Sequence, residues 1–315
     1  MPGHDRIPVT VPVSGTAQRP RWTELPVAVR RAVETCLGST VEKAESQNSG
    51  FTPGFASRLW LSDGRTTFAK AASDGQPWLV EAYQTEAAKL TVLPAAVPAP
   101  RAREALTVPT GGASWFVLLL DDVDGAPPVR PWRVDEASRV LRTAARTAEA
   151  LTPAPAGRTW APIAAELDPR PNWSHACHRY PIGAAAQDLS LRGLLELTGS
   201  TLVHSDLRDD NVIMGRDGRI WFCDWNFPTL GPAWTDAVTL AISMHGDGLD
   251  ADALLAESGA VAAGEDRVDV FLATLLGYFA RAGQQQAPYA SPHLRRHQIW
   301  YGDVVADWLA RRRGW

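Results

Sequence analysis

A chain of 315 residues, 45% hydrophobic and 21% charged, is long enough for one large or two moderate domains with substantial cores. Its formal charge of −4 excludes the basic footprint of a nucleic-acid or anionic-membrane binder, and no apolar run reaches membrane-spanning length. Three scattered cysteines, Cys36, Cys177 and Cys223, exclude a disulfide framework and fit a reducing cytoplasm.

Residues 1–20 combine Pro, Gly and Ser without a signal-peptide pattern and read as a disordered arm. Trp22 to Leu37 carries apolar residues at helical spacing and stops at Gly38, a C-terminal cap. Val41 to Gln47 reads as a short strand, followed by the turn-rich loop Asn48-Ser49-Gly50-Phe51-Thr52-Pro53-Gly54. Ala56 to Leu61 and Thr66 to Ala71 flank Ser62-Asp63-Gly64-Arg65, and an Asp-Gly between two alternating runs signals a hairpin. Gln84 to Leu93 reads as a helix broken by the Pro94 to Pro100 region. Trp115 to Leu120 reads as a buried strand closed by Asp121-Asp122-Val123-Asp124-Gly125. Strands, one helix and further strands describe an α+β lobe with a mainly antiparallel sheet.

Beyond Pro131 helical patterns dominate: Val134 to Leu151, Ala184 to Leu197, Trp234 to Met244, Ala251 to Ala263, Val268 to Ala282 and His293 to Arg313. One hairpin interrupts them, Val212 to Met214 and Arg219 to Cys223 around Asp217-Gly218. The expected division is an N-terminal lobe over 21–121 and a larger, mostly helical lobe over 122–315 with a cleft between them.

The residues that carry chemistry begin with His204-Ser205-Asp206-Leu207-Arg208-Asp209-Asp210-Asn211, followed by Phe222-Cys223-Asp224-Trp225. An Asp, an Asn five positions on and a later Asp can orient a hydroxyl nucleophile and hold Mg2+ on nucleotide phosphates. A polar turn before a hairpin is the plainer alternative. Arg208 would neutralise a transferred phosphoryl group or pair with Asp209 or Asp210, and His204 would tie the loop by hydrogen bonds. Asp236 would cap a helix or bind the loop backbone. Gly50 to Gly54 could bring backbone amides to phosphate or be an ordinary turn, since it lacks the Gly-Lys-Ser/Thr ending of a P-loop. Lys70 ends a strand among apolar neighbours and would need a carboxylate: Glu86, or failing that Glu81. His175, Cys177 and His178 are spaced too tightly for a zinc pattern.

In this order the segments resemble the aminoglycoside phosphotransferase family of small-molecule kinases, whose fold is the two-lobed protein-kinase-like one. The likeness runs over residues 22–315 and includes Gly50 to Gly54, Phe68-Ala69-Lys70, Glu86, Leu118 to Gly125, His204-Ser205-Asp206, Asn211, Ile220 to Trp225 and Gly231 to Asp236. The resemblance implies Asp206 as the catalytic aspartate, Asn211 and Asp224 as Mg2+ ligands, and Lys70 with Glu86 as the phosphate lysine and its partner. It implies Gly50, Phe51, Thr52 and Gly54 at the nucleotide, with Leu119, Leu120, Asp121 and Asp122 as the hinge whose backbone holds its purine. The co-substrate would be ATP or GTP and the acceptor a hydroxyl of a small molecule, with no nucleic-acid or membrane partner. Two departures stand out: Ser205 replaces a common Gly, and Trp225-Asn226-Phe227 replaces the Phe-Gly of protein kinases. Asn226 keeps an oxygen ligand but no charge, which would weaken a second metal.

The acceptor is left open among aminoglycosides, macrolides, sugars and amino sugars. Asp247, Asp250, Asp252, Glu257 and Glu265 are candidates for holding ammonium groups, and Trp225 and Trp234 for stacking on a sugar or apolar face. Two other classes remain at this point: a non-catalytic nucleotide-binding module, and a zinc hydrolase built on His175, His178, His204 and Asp206.

Overall fold

The computed structural model describes residues 4–9, 11–12, 15–47, 50–167, 173–193, 196–261 and 266–315. Its N-terminal part is built on strands β1 (Val41–Ser46), β2 (Phe55–Leu61), β3 (Thr66–Ser73), β4 (Ala102–Pro109) and β5 (Ser114–Leu120). They form one antiparallel sheet in the order β1-β2-β3-β5-β4. Two helices, α1 (Val27–Leu37) and α2 (Pro77–Leu90), cover it. Alternation along β5 sends Val117 and Leu119 into one core with Val29 and Val33 of α1. Phe116, Leu118 and Leu120 enter the other, with Leu79, Tyr83 and Leu90 of α2. Cover on both faces is why this strand reads as a continuous apolar run; each buried Leu contributes roughly 1.5–3 kcal/mol.

The remainder is mostly helical: α3 (Val134–Ala150), α4 (Ile163–Glu166), α5 (Trp173–Arg179), α6 (Gly183–Gly193), α7 (Thr235–Gly246), α8 (Ala251–Ser258), α9 (Arg267–Gln284) and α10 (Leu294–Arg313). Short strands interrupt them. β6 (Gly125–Ala126), β8 (Val212–Gly215) and β9 (Ile220–Phe222) form one small sheet, and β7 (Thr201–Val203) pairs with β10 (Thr229–Gly231). A single apolar cluster continues from Leu79 and Leu118 through Val203 and Phe222 to Leu272, so the two parts share a core beneath the cleft.

Several boundaries differ from the sequence expectation, for local reasons. The Trp22 to Leu37 helix is split into a short turn, Trp22–Glu24, and α1, because Pro26 cannot continue a helix and stands instead at the N-cap of α1. α2 begins seven residues earlier than Gln84, at Pro77, whose missing N–H is harmless in a first turn. β4 was not foreseen: it is a sheet-edge strand whose residues are mostly exposed, so it lacks an apolar alternation. α8 stops at Ser258 on the left-handed Gly259, short of Ala263, which lies outside the described residues. The helix expected over Ala184 to Leu197 is described as α6, ending at Gly193.

The described residues of the first twenty are not a loose arm. Ile7 N–H donates to the Gly246 carbonyl at 2.9 Å, Gln18 N–H to that of Ala290 at 2.8 Å, and Thr16 Oγ1 to that of Gly50 at 2.5 Å. Thr16 and Ala17 are buried. These bonds go to loop and helix-end carbonyls far away in sequence, which no local pattern announces. Among the described residues no helix is long and apolar enough to cross a membrane, and all three cysteines are free thiols.

Gly54 shows how closely the glycine loop is seated on α2. A Cβ there would stand 2.3 Å from Tyr83 Oη and 2.7 Å from Leu79 Cδ2. Gly54→Ala is therefore expected to lower stability by about 1–3 kcal/mol in urea unfolding. Tyr83→Phe, which removes the nearer atom, should recover part of that loss; additive effects in the double-mutant cycle would contradict the clash.

Candidate active site

The loop after β7 is held by two buried side chains. Asp236, at the start of α7, accepts the N–H of His204 at 2.7 Å and of Ser205 at 3.0 Å. This realises the backbone-binding alternative for Asp236; no side-chain cap bond forms at that helix start. His204 is fully buried. Its Nε2 bonds the Cys223 carbonyl at 2.9 Å, and its Nδ1 accepts the Asp206 N–H at 3.3 Å. The imidazole thus fastens the loop to the residue preceding Asp224. Burial, more than offsetting the pull of Asp236, holds its pKa below the ordinary histidine value, so it is a neutral brace.

Ser205 occupies the left-handed region at φ 66°, a conformation that costs a non-glycine residue about 1 kcal/mol. Its hydroxyl exchanges a 2.7 Å hydrogen bond with Thr229 Oγ1, which helps offset that cost.

Asp206 follows, with 31% of its side chain open to the cleft. The Asn211 amide donates to the Asp206 carbonyl at 2.7 Å and lies 3.4 Å from its carboxylate. Arg208 Nη1 stands 3.4 Å from the other carboxylate oxygen. Burial raises the Asp206 pKa despite Arg208. Arg208 itself makes a two-pronged pair with Asp210, both distances 3.1 Å. Of the partners foreseen for it, Asp209 is not one: that carboxylate is taken by Arg130 at 2.9 Å and Tyr301 at 3.0 Å. Burial pushes Asp210 up to about 6.

Across the cleft, Lys70 on β3 bonds both oxygens of Glu86 and Oδ1 of Asp224, each at 2.7 Å. Glu86 is 1% exposed, whereas the fallback Glu81 faces solvent. Burial disfavours the Lys70 charge, but Asp224 and Glu86 together raise its pKa. Asp224 is pushed up by burial and pulled further down by Lys70, ending below the ordinary range. Burial pushes Glu86 upward against Lys70; with two carboxylates sharing one ammonium, Lys70 stays charged. Asp224 is left-handed at φ 68°. Asn226 Nδ2 donates to Asp224 Oδ1, leaving Asn226 Oδ1 buried without a partner.

Gly50, Phe51 and Thr52 line the cleft, and Gly50 is left-handed at φ 84°; Asn48 and Ser49 lie outside the described residues. The loop reaches the helical part: Ser291 Oγ donates to the Phe51 carbonyl at 2.5 Å, and the Phe51 ring packs on His297 with centroids 4.6 Å apart. Gly54 lies behind the lining, against Tyr83, and its carbonyl accepts Arg19 Nη1 at 3.2 Å. Arg19 was missed from sequence, lying in the segment read as an arm, yet it lines the cleft beside Gly50. Its pKa is lowered by burial, with Tyr83 and Asp224 pulling the other way.

Of the hinge-like residues, Leu120, Asp121 and Asp122 line the cleft. Leu119 does not: β5 is an interior strand, and alternation turns this side chain into the α1 core. The Asp121 N–H is bonded to the Arg101 carbonyl at 2.9 Å, and Asp122 to Arg58 at 2.6 Å.

The cavity measures about 850 Å³. On its helical side it is lined by Phe271, Leu275, Tyr278 and Phe279 of α9, with Trp160 and Ile163. Three of the carboxylates considered for an acceptor are engaged elsewhere. Asp247 accepts Arg130 and the Trp132 N–H, Asp250 caps α8, and Asp252 accepts the Trp308 indole and Arg312. Glu257 is an exposed residue of α8, and Glu265 lies outside the described residues. Trp225 and Trp234 are core residues, 1% and 6% exposed. The Trp225 indole bonds the Phe222 carbonyl, and Trp234 packs edge-on against Phe271. His175 and His178 sit exposed on α5, away from the braced His204.

Solved structures share the fold. A thermostable mutant of the aminoglycoside phosphotransferase APH(4)-Ia, in complex with AMP-PNP and hygromycin B, superposes with a TM-score of 0.61 at 15% identity, covering 90% of this chain and 98% of that one. Choline kinase LicA from Streptococcus pneumoniae gives 0.60 at 13% identity, covering 89% and 98%. The amicoumacin kinase hAmiN, in complex with AMP-PNP, Ca2+ and Ami, gives 0.57 at 10% identity, covering 88% and 92%. No curated protein matches the chain in sequence. The family model described as the phosphotransferase enzyme family matches residues 50–271, a span that holds Lys70, Glu86, Asp206, Asn211 and Asp224, and the chain belongs to that family.

Proposed function

We propose that this phosphotransferase moves the γ-phosphoryl group of ATP or GTP to a hydroxyl of a small molecule. The observation that carries the reading is the convergence of Lys70, Asp206, Asn211 and Asp224 on one cavity of about 850 Å³, a size suited to a nucleotide and a small acceptor.

Phosphoryl transfer depends on positioning and charge compensation rather than on covalent chemistry by the protein. Lys70, held charged by Glu86, supplies the cation for the phosphates. Asp206 accepts a hydrogen bond from the acceptor hydroxyl and aims its lone pair at phosphorus. The proton leaves late in a loose transition state, so orientation matters more than basicity. Arg208, pinned by Asp210, steadies the Asp206 carboxylate. Arg19 reaches the same end of the cleft as Gly50 and Asp224, where a guanidinium can clamp phosphate oxygens.

The oxygen donors fit Mg2+. Asp224 offers a carboxylate, Asn211 has its amide nitrogen committed to Asp206 and its oxygen left over, and Asn226 Oδ1 is buried without a partner. Mg2+ held there by Asp224, Asn211 and Asn226 would neutralise charge on the phosphates.

For the acceptor, the aromatic and aliphatic lining from α9 matches a molecule with an apolar face better than one carrying several ammonium groups. Arg158 and Lys89 stand at the same cavity, beside Glu166, adding positive charge to its edge. Nucleotide consumption measured against aminoglycosides, macrolides, sugars and amino sugars should be greatest with an acceptor bearing an apolar face. Turnover confined to aminoglycosides would reverse this choice.

Asp206→Asn is expected to lower kcat by roughly 10²–10⁴-fold while leaving nucleotide affinity intact; unchanged turnover would remove Asp206 from the chemistry. Because the ionised Asp206 is the working form and burial raises its pKa, activity should be full above that pKa and decline as pH falls through it. The acid limb of the rate profile should then lie above the ordinary Asp value of about 3.9. Arg19→Ala should weaken binding of the nucleoside triphosphate about tenfold or more, the scale of one charged hydrogen bond, without affecting the bare nucleoside. Equal losses for both ligands would assign Arg19 to scaffolding alone.

A further inference from the structure

We propose that His4, His245 and Asp307 form a zinc site that fastens the N-terminal segment to the helical part of the enzyme. The three residues come from the N-terminal segment, the last turn of α7 and the C-terminal half of α10. Their potential ligand atoms, two imidazole nitrogens and a carboxylate oxygen, all lie within 4.8 Å of one another. His245 Nε2 is 2.8 Å from Asp307 Oδ2, and His4 Nε2 is 4.0 Å from the same oxygen. The two rings are adjacent, with centroids 4.0 Å apart. A tetrahedral cation at about 2.0–2.2 Å from nitrogen and oxygen ligands sets them roughly 3.3–3.6 Å apart, so small side-chain movements that open the His245–Asp307 pair and bring His4 closer would admit it.

Two further features point to a ligand. His4 Nε2 is buried and has no hydrogen-bond partner, and an unsatisfied buried polar atom is costly unless something occupies its lone pair. His245 is already braced: Trp308 stacks on its ring with centroids 5.5 Å apart and planes 16° apart. On metal binding the His245 proton would reside on Nδ1. The backbone holds His4 in place independently, through His4 N–H to the Gly248 carbonyl at 3.3 Å and Ile7 N–H to that of Gly246 at 2.9 Å.

Asp307 Oδ2 also receives Arg311 Nε at 2.7 Å. The Arg311 side chain is 52% exposed and can turn to solvent when a divalent cation takes the carboxylate. Two imidazoles and one carboxylate, with a fourth position for water, is a donor set suited to Zn2+. The site lies apart from Asp224 and Asn211, and it does not depend on the phosphotransfer reading.

The test is calorimetric titration of the chelator-treated full chain with Zn2+, together with the zinc content of the dialysed protein. One zinc per chain is expected, and His4→Ala should weaken the affinity by at least roughly 10–100-fold, the loss that removing even an outer-shell partner of a metal causes. His4→Ala removes a side chain from the N-terminal segment and leaves the core untouched. As a second readout, zinc should slow tryptic cleavage after Arg6 in the wild type and have no effect on that cleavage in His4→Ala. No stoichiometric uptake, or uptake and protection equal in His4→Ala and wild type, would overturn the proposal.

Discussion

One ammonium group organises the cleft. Lys70 on β3 is within 2.7 Å of Glu86 on α2 and of Asp224 beyond β9, so a single side chain joins the sheet, its helix and the helical part. A buried charge without a partner costs several kcal/mol, and two carboxylates around one cation hold each other in register. The link explains why Ala56 and Leu118 flank Lys70 across the sheet: small and apolar neighbours leave the lysine's long stem packed and its head directed to the cleft. Asp224, in a left-handed conformation unusual for its type, is fixed between Lys70 and Asn226.

The second constraint is polar and buried. Asp236 and His204 replace solvent around a loop that must expose Asp206 while its neighbouring backbone groups are covered. Asp236 satisfies two N–H groups, and His204 spans from the Asp206 N–H to the Cys223 carbonyl. Their bonds hold Ser205 at a positive φ that an unsupported loop would avoid. The Asp206 and Asp224 segments are consequently positioned by one shared histidine.

Local patterns carried most of the fold. The Asp63-Gly64 and Asp217-Gly218 hairpins, the buried β5 and the long C-terminal helices all come from signals within a dozen residues. Elements whose definition is a partner rather than a pattern were not legible. β4 is an edge strand with an exposed, mixed sequence, and β7 and β10 have three residues each and exist as a mutual pair. The N-terminal segment looked disordered because its anchors, the carbonyls of Gly246, Ala290 and Gly50, are distant in sequence. The Leu119 side chain enters the α1 core while that of Leu120 turns to the cleft, as the period of two along a strand requires.

The sequence by itself determined the chemical identities and their order: a strand lysine, a helix glutamate, an Asp five residues before an Asn, and a strand-ending Asp. Those follow from short spacings, and spacing is a local property of the chain. The tertiary structure alone decided which charges are spent on each other. It gave Arg208 to Asp210 rather than to Asp209, committed Asp247 and Asp252 to arginines, and buried Trp225 and Trp234. It also brought Arg19 to the cleft beside Gly50 and His4 to His245. The reason is physical: whether a carboxylate or an arginine is available to a ligand depends on burial and on partners across the fold, and neither is written in the residues beside it.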